Sequence, residues 1–194
     1  MNRRDFLKNT SLLSLAGGAG AASLLLSSCE SSVTSNDKVL ETDLAFLTEA
    51  VEMEGVAVKT YDAAASSGLI TDTSLLSVAV LYRDHHYSHF QELNALRRRL
   101  GFASYDINIA LPDARVSGLT NQTSVLTLAR DLELQAAEAY FRWVTGELNI
   151  PEVRRFFANT YPIETAHFIV LKGVLSGDIP GSIDSSQLEF LKRS

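Results

Sequence analysis

Apolar residues recur at three- and four-residue intervals along most of this chain, which is the pattern of amphipathic helices. Glycine and proline divide the pattern into segments. Residues 66–68 predict a turn, Gly101 stops the second segment, and Pro151 opens the last one. The predicted helices span residues 40–65, 73–100, 123–145 and 151–175. Pro162 falls inside the fourth helix and is expected to kink it or to split off its first turns.

The connection between the second and third helices is much longer than the other two. Residues 102–120 lack a helical period and contain Pro112 and Gly118. Two helical hairpins joined by one long crossover form a known class of four-helix bundle. The sequence therefore predicts an all-α fold, a four-helix bundle over residues 39–194 with a short C-terminal extension.

The first 28 residues have the composition of an export signal, with Arg3 and Arg4 ahead of an uncharged stretch at 11–28. This start resembles a twin-arginine signal. Residues 26–29 read Leu-Ser-Ser-Cys, which resembles a bacterial lipobox, and Cys29 is the only cysteine. The resemblance implies export by the twin-arginine route, lipidation of Cys29, a Ser-rich tether at 29–38 and anchoring to a membrane of the cell envelope. The alternative is that Cys29 is an ordinary residue in a signal cut by a different peptidase.

Composition excludes several classes of protein. Of 194 residues, 46% are hydrophobic, which is typical of a globular core and argues against disorder. The net charge is −6, so the chain lacks the excess of Lys and Arg that binds a polyanion, and nucleic acid is not an expected partner. A single cysteine forms no internal disulfide. The sequence also contains no phosphate-binding loop, Ser-His-Asp order or zinc-type cysteine cluster.

The two predicted hairpins match each other in their polar residues. Glu54 lies seven residues before Tyr61, and Glu133 lies seven residues before Tyr140. A histidine follows these glutamates after 35 and 34 residues, in the second helix of each pair. This shared order predicts two copies of one helical hairpin.

Glu54 and Glu133 lie in the middle of the predicted apolar faces, because most positions three, four and seven residues away are apolar. Glu49, Glu52 and Glu138 fall on the opposite faces and are expected to contact water. A lone ionised carboxylate in the core would cost several kcal/mol. The two inward glutamates must therefore be protonated, paired or bound to a cation.

All four histidines of the chain fall in the second and fourth predicted helices. His89 and His167 share the apolar faces of these helices. His85 and His86 are adjacent and differ by about 100° around the helix, so one is expected to face the interior and the other the surface. Carboxylate oxygens and imidazole nitrogens from four helices can converge on one point, where a metal ion would neutralise the buried charge.

The spacing of these residues resembles a known ligand set. One Glu from each of two helices, plus Glu-x-x-His from each of the other two, is the set of the ferritin-like di-iron carboxylate proteins. The chain resembles this superfamily over residues 40–176, and is most similar to exported ferritin-like domain proteins related to rubrerythrins and desiccation-related proteins. The resemblance implies iron, in a dinuclear or simpler site, or another divalent transition metal. The implied ligands are Glu54, His86, His89, Glu133, Glu164 and His167.

The second helix departs from the family pattern, because the position three residues before His89 holds His86 rather than Glu. In the family this Glu commonly bridges two metals, which a single imidazole nitrogen ordinarily does not do. Three outcomes stay open: a modified dinuclear site, a site for a single metal that need not be iron, and a metal-free network of paired carboxylates and histidines. Asp84 and Glu92 could replace the missing Glu only if the helix register shifted.

Tyr61 and Tyr140 have three interpretations: hydrogen-bond partners of the ligands, redox-active residues, or, most simply, packing residues of the core. For an active protein the resemblance implies metal oxidation or peroxide consumption. The competing hypothesis is a structural or partner-binding envelope domain that has kept the fold and lost the metal. A homodimer is compatible with the sequence.

Overall fold

Four long helices make up most of the structure. The computed structural model describes residues 35–146 and 148–177, with side chains from residue 41 onward. The helices are α1 (Ser35–Ser66), α2 (Thr73–Arg99), α3 (Gln122–Val144) and α4 (Pro151–Ser176). Two short 3-10 helices, Ile107–Ile109 and Ala114–Gly118, lie between α2 and α3. The predicted signal at 1–28, Cys29 and most of the C-terminal extension lie outside the described residues.

The helices pack as two hairpins. α1 packs mainly on α2, and α3 packs mainly on α4, while α1 meets α3 and α2 meets α4 across the bundle. The connection that contains both 3-10 helices is the long crossover between the hairpins. The predicted all-α four-helix bundle with one crossover is confirmed. None of the described helices combines the length and the apolar character needed to span a membrane.

The helix ends follow the capping chemistry of the sequence. The Asp72 carboxylate accepts hydrogen bonds from the backbone N–H groups of Ser74 and Leu75 at the start of α2. α1 begins at Ser35, which lies inside the segment 29–38 that the sequence assigns to a tether. α4 ends at Gly177, whose φ of +75° is a left-handed conformation that suits glycine.

α4 runs without a break through Pro162, so the expected splitting of this helix is wrong. Proline has no N–H to donate to the carbonyl of Ala158, four residues earlier. Both residues are exposed, so water can hydrogen-bond to that carbonyl. The missing bond therefore falls where it costs least, on the solvent side of the helix.

Buried polar contacts attach the loops to α1. Asp43 is fully buried, and its carboxylate accepts hydrogen bonds from the backbone N–H groups of Asn149 and Ile150 just before α4. The Thr60 hydroxyl accepts a hydrogen bond of 2.8 Å from the backbone N–H of Asp113 in the crossover. These contacts link α1 to the loop before α4 and to the crossover.

The apolar core is divided into two main clusters, one toward each end of the bundle. One cluster surrounds Trp143, with Leu47, Leu93 and Phe157 among its members. The other includes Tyr61, Val78, Tyr82, Leu126 and Leu171. Along each helix, the polar residues of the candidate site fall between these clusters, so apolar layers cover the site from both ends.

Candidate metal centre

The structure brings together all six residues that the resemblance implies as ligands. Each helix contributes, and every one of the six residues is at most 6% exposed. Their nitrogen and oxygen atoms form two overlapping groups in which all atoms lie within 4.8 Å of one another. The first group is Glu54, His86, His89 and Glu164, and the second is His86, Glu133, Glu164 and His167.

Glu164 lies between two halves of this centre and turns one oxygen toward each. Its Oε1 is 3.0 Å from His89 Nδ1, and its Oε2 is 3.6 Å from His167 Nδ1. We call the set of Glu54, His89 and Oε1 of Glu164 the Glu54 half-site. The set of Glu133, His167 and Oε2 of Glu164 is the Glu133 half-site. A carboxylate placed in this way can hold two cations at once.

His86 also lies between the two half-sites, with one ring nitrogen toward each. Nδ1 is 2.8 Å from Glu54 Oε2, and Nε2 is 3.1 Å from Glu133 Oε1. A neutral imidazole has a lone pair on only one nitrogen. His86 can therefore ligate a metal in one half-site at a time, whereas in its protonated form it donates to both glutamates.

The two tyrosines connect the hairpins through the glutamates. The Tyr140 hydroxyl donates to Glu54 Oε1 at 2.5 Å, and the Tyr61 hydroxyl donates to Glu133 Oε1. Each tyrosine thus bonds to the glutamate of the other hairpin, in a reciprocal arrangement that follows the sequence repeat. Both rings also pack in the core, so hydrogen bonding and packing occur together.

Charge pairing dominates the electrostatics of the centre. Burial alone would raise the pKa of Glu54, but nearby His89 and His86 outweigh burial and lower it to about 2. Burial alone would lower the pKa of His89, but Glu54 and Glu164 raise it to about 10. The pKa of His86 is likewise raised, since the attraction of Glu133, Glu164 and Glu54 exceeds the effect of burial. Without a metal, these groups form a paired ionic network.

The expectation that only one of His85 and His86 faces the interior is wrong, because both are buried. α2 packs on α1 and also meets α4, so the arc of α2 that is covered is wider than one apolar stripe. His85 Nδ1 lies 2.9 Å from His167 Nε2. Burial, followed by repulsion from His167, lowers the pKa of His85 to about 4. Tyr82 stacks on the His167 ring with centroids 3.8 Å apart.

Several buried polar atoms at the centre are suited to binding a cation. Glu164 is 0% exposed, yet neither of its oxygens has a hydrogen bond to any described residue. His89 Nδ1 also lacks one, because its 3.0 Å approach to Glu164 is not aligned as a hydrogen bond. Buried polar atoms without a hydrogen bond are rare in proteins. Since these residues belong to the groups whose ligand atoms lie within 4.8 Å of one another, the donor set fits a metal.

One side of the centre is reached by a groove. A cavity of about 590 Å³ runs between α2 and α4, and His89 is the one residue of the six that lines it. Its charged lining residues are Glu92, Arg99, Glu152 and Arg155. Asp84 and Glu92 are both exposed and belong to neither ligand group, in keeping with the helix register.

Sequence reasoning did not assign a role to Tyr82 or His85. Tyr82 lies seven residues before His89 on the same helix face, which is a signal that could have placed it near the centre. His85 lies four residues before His89 and so is also close to this face, but the spacing does not reveal its partner, His167, which is 82 residues away. No protein-family model matches this chain, and no curated protein matches it.

Proposed function

We propose that this chain is a metal-binding protein of the ferritin-like type, which holds two divalent transition-metal ions, iron foremost, at the middle of its four-helix bundle. The observation that carries the proposal is the position of Glu164. Its two oxygens, which have no hydrogen bond to any described residue, face opposite half-sites, and each half-site adds one further glutamate and one histidine. Mixed oxygen and nitrogen donors of this kind suit iron, manganese and zinc.

The residues of each half-site would hold one ion, and Glu164 would be shared. His86 would complete one half-site only, so the two ions are expected to differ in affinity. Iron bound here would supply one-electron redox chemistry, such as metal oxidation or peroxide consumption. The Tyr61 hydroxyl holds Glu133 in place, and the Tyr140 hydroxyl holds Glu54. The apolar clusters exclude water from both ends, while the groove beside His89 admits small reactants.

Metal content measures this function directly. The full-length chain is incubated without oxygen with Fe²⁺, Mn²⁺ or Zn²⁺, dialysed and subjected to elemental analysis. We expect two ions per chain for the wild type and one ion for Glu54→Gln or Glu133→Gln, because each substitution removes the charged donor of one half-site. Glu52→Gln is the matched control, since Glu52 is exposed on the same helix as Glu54. Retention of no metal by the wild type, or equal retention by all variants, would refute the proposal.

The cellular location belongs to the same proposal. The twin-arginine motif and Cys29 support a lipoprotein that is exported already folded and anchored in the cell envelope. In a bacterial host, labelled palmitate should be incorporated into the wild type and not into Cys29→Ala. Replacing Arg3 and Arg4 by lysine should leave the protein in the cytoplasm. Label that persists in Cys29→Ala would contradict the anchor.

A second candidate function is a metal-free structural domain, and one observation favours it. His86 donates toward Glu54 and Glu133 simultaneously, at the position where the family has a glutamate. A protonated imidazole there neutralises buried carboxylates without any metal. Thermal unfolding distinguishes the two functions. Metals that bind only the folded state raise the midpoint, so an unchanged midpoint with iron, manganese and zinc would favour the structural domain.

A further inference from the structure

His85 lies against the outer edge of His167, on the side away from the candidate metal centre. His167 Nδ1 faces Glu133 Oε2 at 3.1 Å, and its Nε2 faces His85 Nδ1 at 2.9 Å. The two imidazole planes are 14° apart and their centroids are 5.1 Å apart. With the nitrogens 2.9 Å apart, this centroid distance requires the rings to meet edge to edge. The hydrogen bond between them is therefore nearly in plane and well aligned.

Ligation fixes the direction of this hydrogen bond. If His167 binds metal through Nδ1, that nitrogen carries no proton, so the ring proton is on Nε2. Nε2–H must then donate to His85 Nδ1, and the proton of His85 must be on its own Nε2. Metal-ligating histidines in proteins almost always donate their second N–H to such an acceptor, which sets the tautomer and the ring orientation.

Among the described residues, the opposite half-site has no equivalent acceptor. By the sequence repeat, the counterpart of His85, four residues before His89, is Ile163, four residues before His167. Ile163 lines the groove together with His89 and offers no polar atom. Tyr82 adds to the difference, because it stacks on one face of His167. In the Glu133 half-site the ring of His167 is therefore held at one edge by His85 and on one face by Tyr82.

We infer that His85 is a positioning residue for metal binding, which accepts the Nε2 proton of His167 and thereby directs the Nδ1 lone pair into the Glu133 half-site. This inference rests on the metal-binding function proposed above. It assigns a role to the fourth histidine, which belongs to neither ligand group. It also makes the Glu133 half-site the better organised of the two and the one that a metal fills first.

The test compares two substitutions of His85 in the full-length chain. His85→Leu removes the acceptor and keeps an apolar side chain, whereas His85→Asn keeps an acceptor oxygen near the position of Nδ1. Co²⁺ is the probe, because its visible absorption reports ligand geometry while competition with a chelator gives its affinity. Ile163→Leu is the control at the equivalent position of the other half-site.

We expect His85→Leu to weaken the tighter Co²⁺ site by about 10–100-fold, the usual cost of losing such a partner, and to change its absorption spectrum. His85→Asn should restore most of the Co²⁺ affinity and of the absorption spectrum, and Ile163→Leu should match the wild type in both. The inference is overturned if His85→Leu binds like the wild type. It is also overturned if His85→Asn is as impaired as His85→Leu, because the acceptor would then not matter.

A measurement on the metal-free protein separates failure of this inference from failure of the proposed function. Nitrogen NMR should show a protected Nε2–H on His167 with coupling across the hydrogen bond to His85 Nδ1, and His85→Leu should abolish the coupling. If the wild type binds no Co²⁺ and the coupling is present, the metal function fails and the positioning contact stands. If the coupling is absent from the wild type, the inference fails whatever the metal content.

Discussion

Replacing His86 with glutamate should make the fold dependent on metal. The metal-free centre contains three carboxylates and three imidazoles, and His86 contacts both Glu54 and Glu133. His86→Glu removes the imidazolium between them and adds a fourth carboxylate at a position that is only 2% exposed. It also creates the second Glu-x-x-His motif, with a carboxylate able to bridge two ions.

The size of the effect follows from the burial of the pair. Breaking a buried ion pair by removal of one partner costs about 3–5 kcal/mol. For a chain of this length, 1 kcal/mol shifts the midpoint of thermal unfolding by about 2–4 °C. The metal-free variant should therefore unfold about 6–20 °C below the wild type. A metal at 1,000 times its dissociation constant returns about 4.1 kcal/mol, which offsets most of that loss.

The assay is thermal unfolding with a chelator and then with excess Mn²⁺ or Zn²⁺. Gln91→Glu is the control, since it adds the same charge at an exposed position of α2 and should change the midpoint little in either condition. The account would be refuted by a metal-free His86→Glu protein as stable as the wild type. It would also be refuted if metal raised the midpoint of the variant no more than that of the wild type.

Three further predictions concern pH, a loop anchor and a tyrosine. The pKa of His89 is about 10 in the folded protein and ordinarily 6.5, so between these values the folded state holds a proton that the unfolded state loses. The free energy of unfolding of the metal-free protein, measured with urea, should therefore fall as the pH rises from 6.5 to 10. Asp43→Ala removes a fully buried carboxylate that accepts hydrogen bonds from two backbone N–H groups, and it should lower the free energy of unfolding by about 1–3 kcal/mol. Glu41→Ala, at an exposed position, should change it by less than about 0.5 kcal/mol. Tyr140→Phe removes the hydroxyl that donates to Glu54 and should weaken metal binding by about 10–100-fold, while circular dichroism shows an unchanged helix content. Unchanged metal affinity would show that the hydroxyl does not position the carboxylate.

The fold and the inward residues could be predicted from the sequence, because both depend on local periodicity. Residues that are three, four or seven positions apart on a helix share a face, and this is enough to place Glu54 inside and Glu49 outside. The same reasoning failed for His85, since the width of the buried arc depends on how many helices touch α2. It also placed the start of α1 too late, because residues 35–38 are polar and show no apolar period.

The internal geometry of the site could not be predicted, because it depends on contacts between distant residues. The hydrogen bond from Tyr140 to Glu54 joins residues 86 positions apart in the sequence, and the contact of His85 with His167 joins residues 82 positions apart. No spacing within one helix reports which ring nitrogen faces which carboxylate. The departure at His86 was visible in the sequence, whereas its placement between Glu54 and Glu133 depends on how the helices pack together.

Anomalous scattering from crystals of this protein grown with Mn²⁺ or Zn²⁺ tests the central claim most directly, since it locates each ion without reference to any activity. The account predicts two peaks inside the bundle, one among Glu54, His89 and Glu164 and the other among Glu133, His167 and Glu164. Peaks confined to surface carboxylates, with His86 still joined to both Glu54 and Glu133, would contradict it.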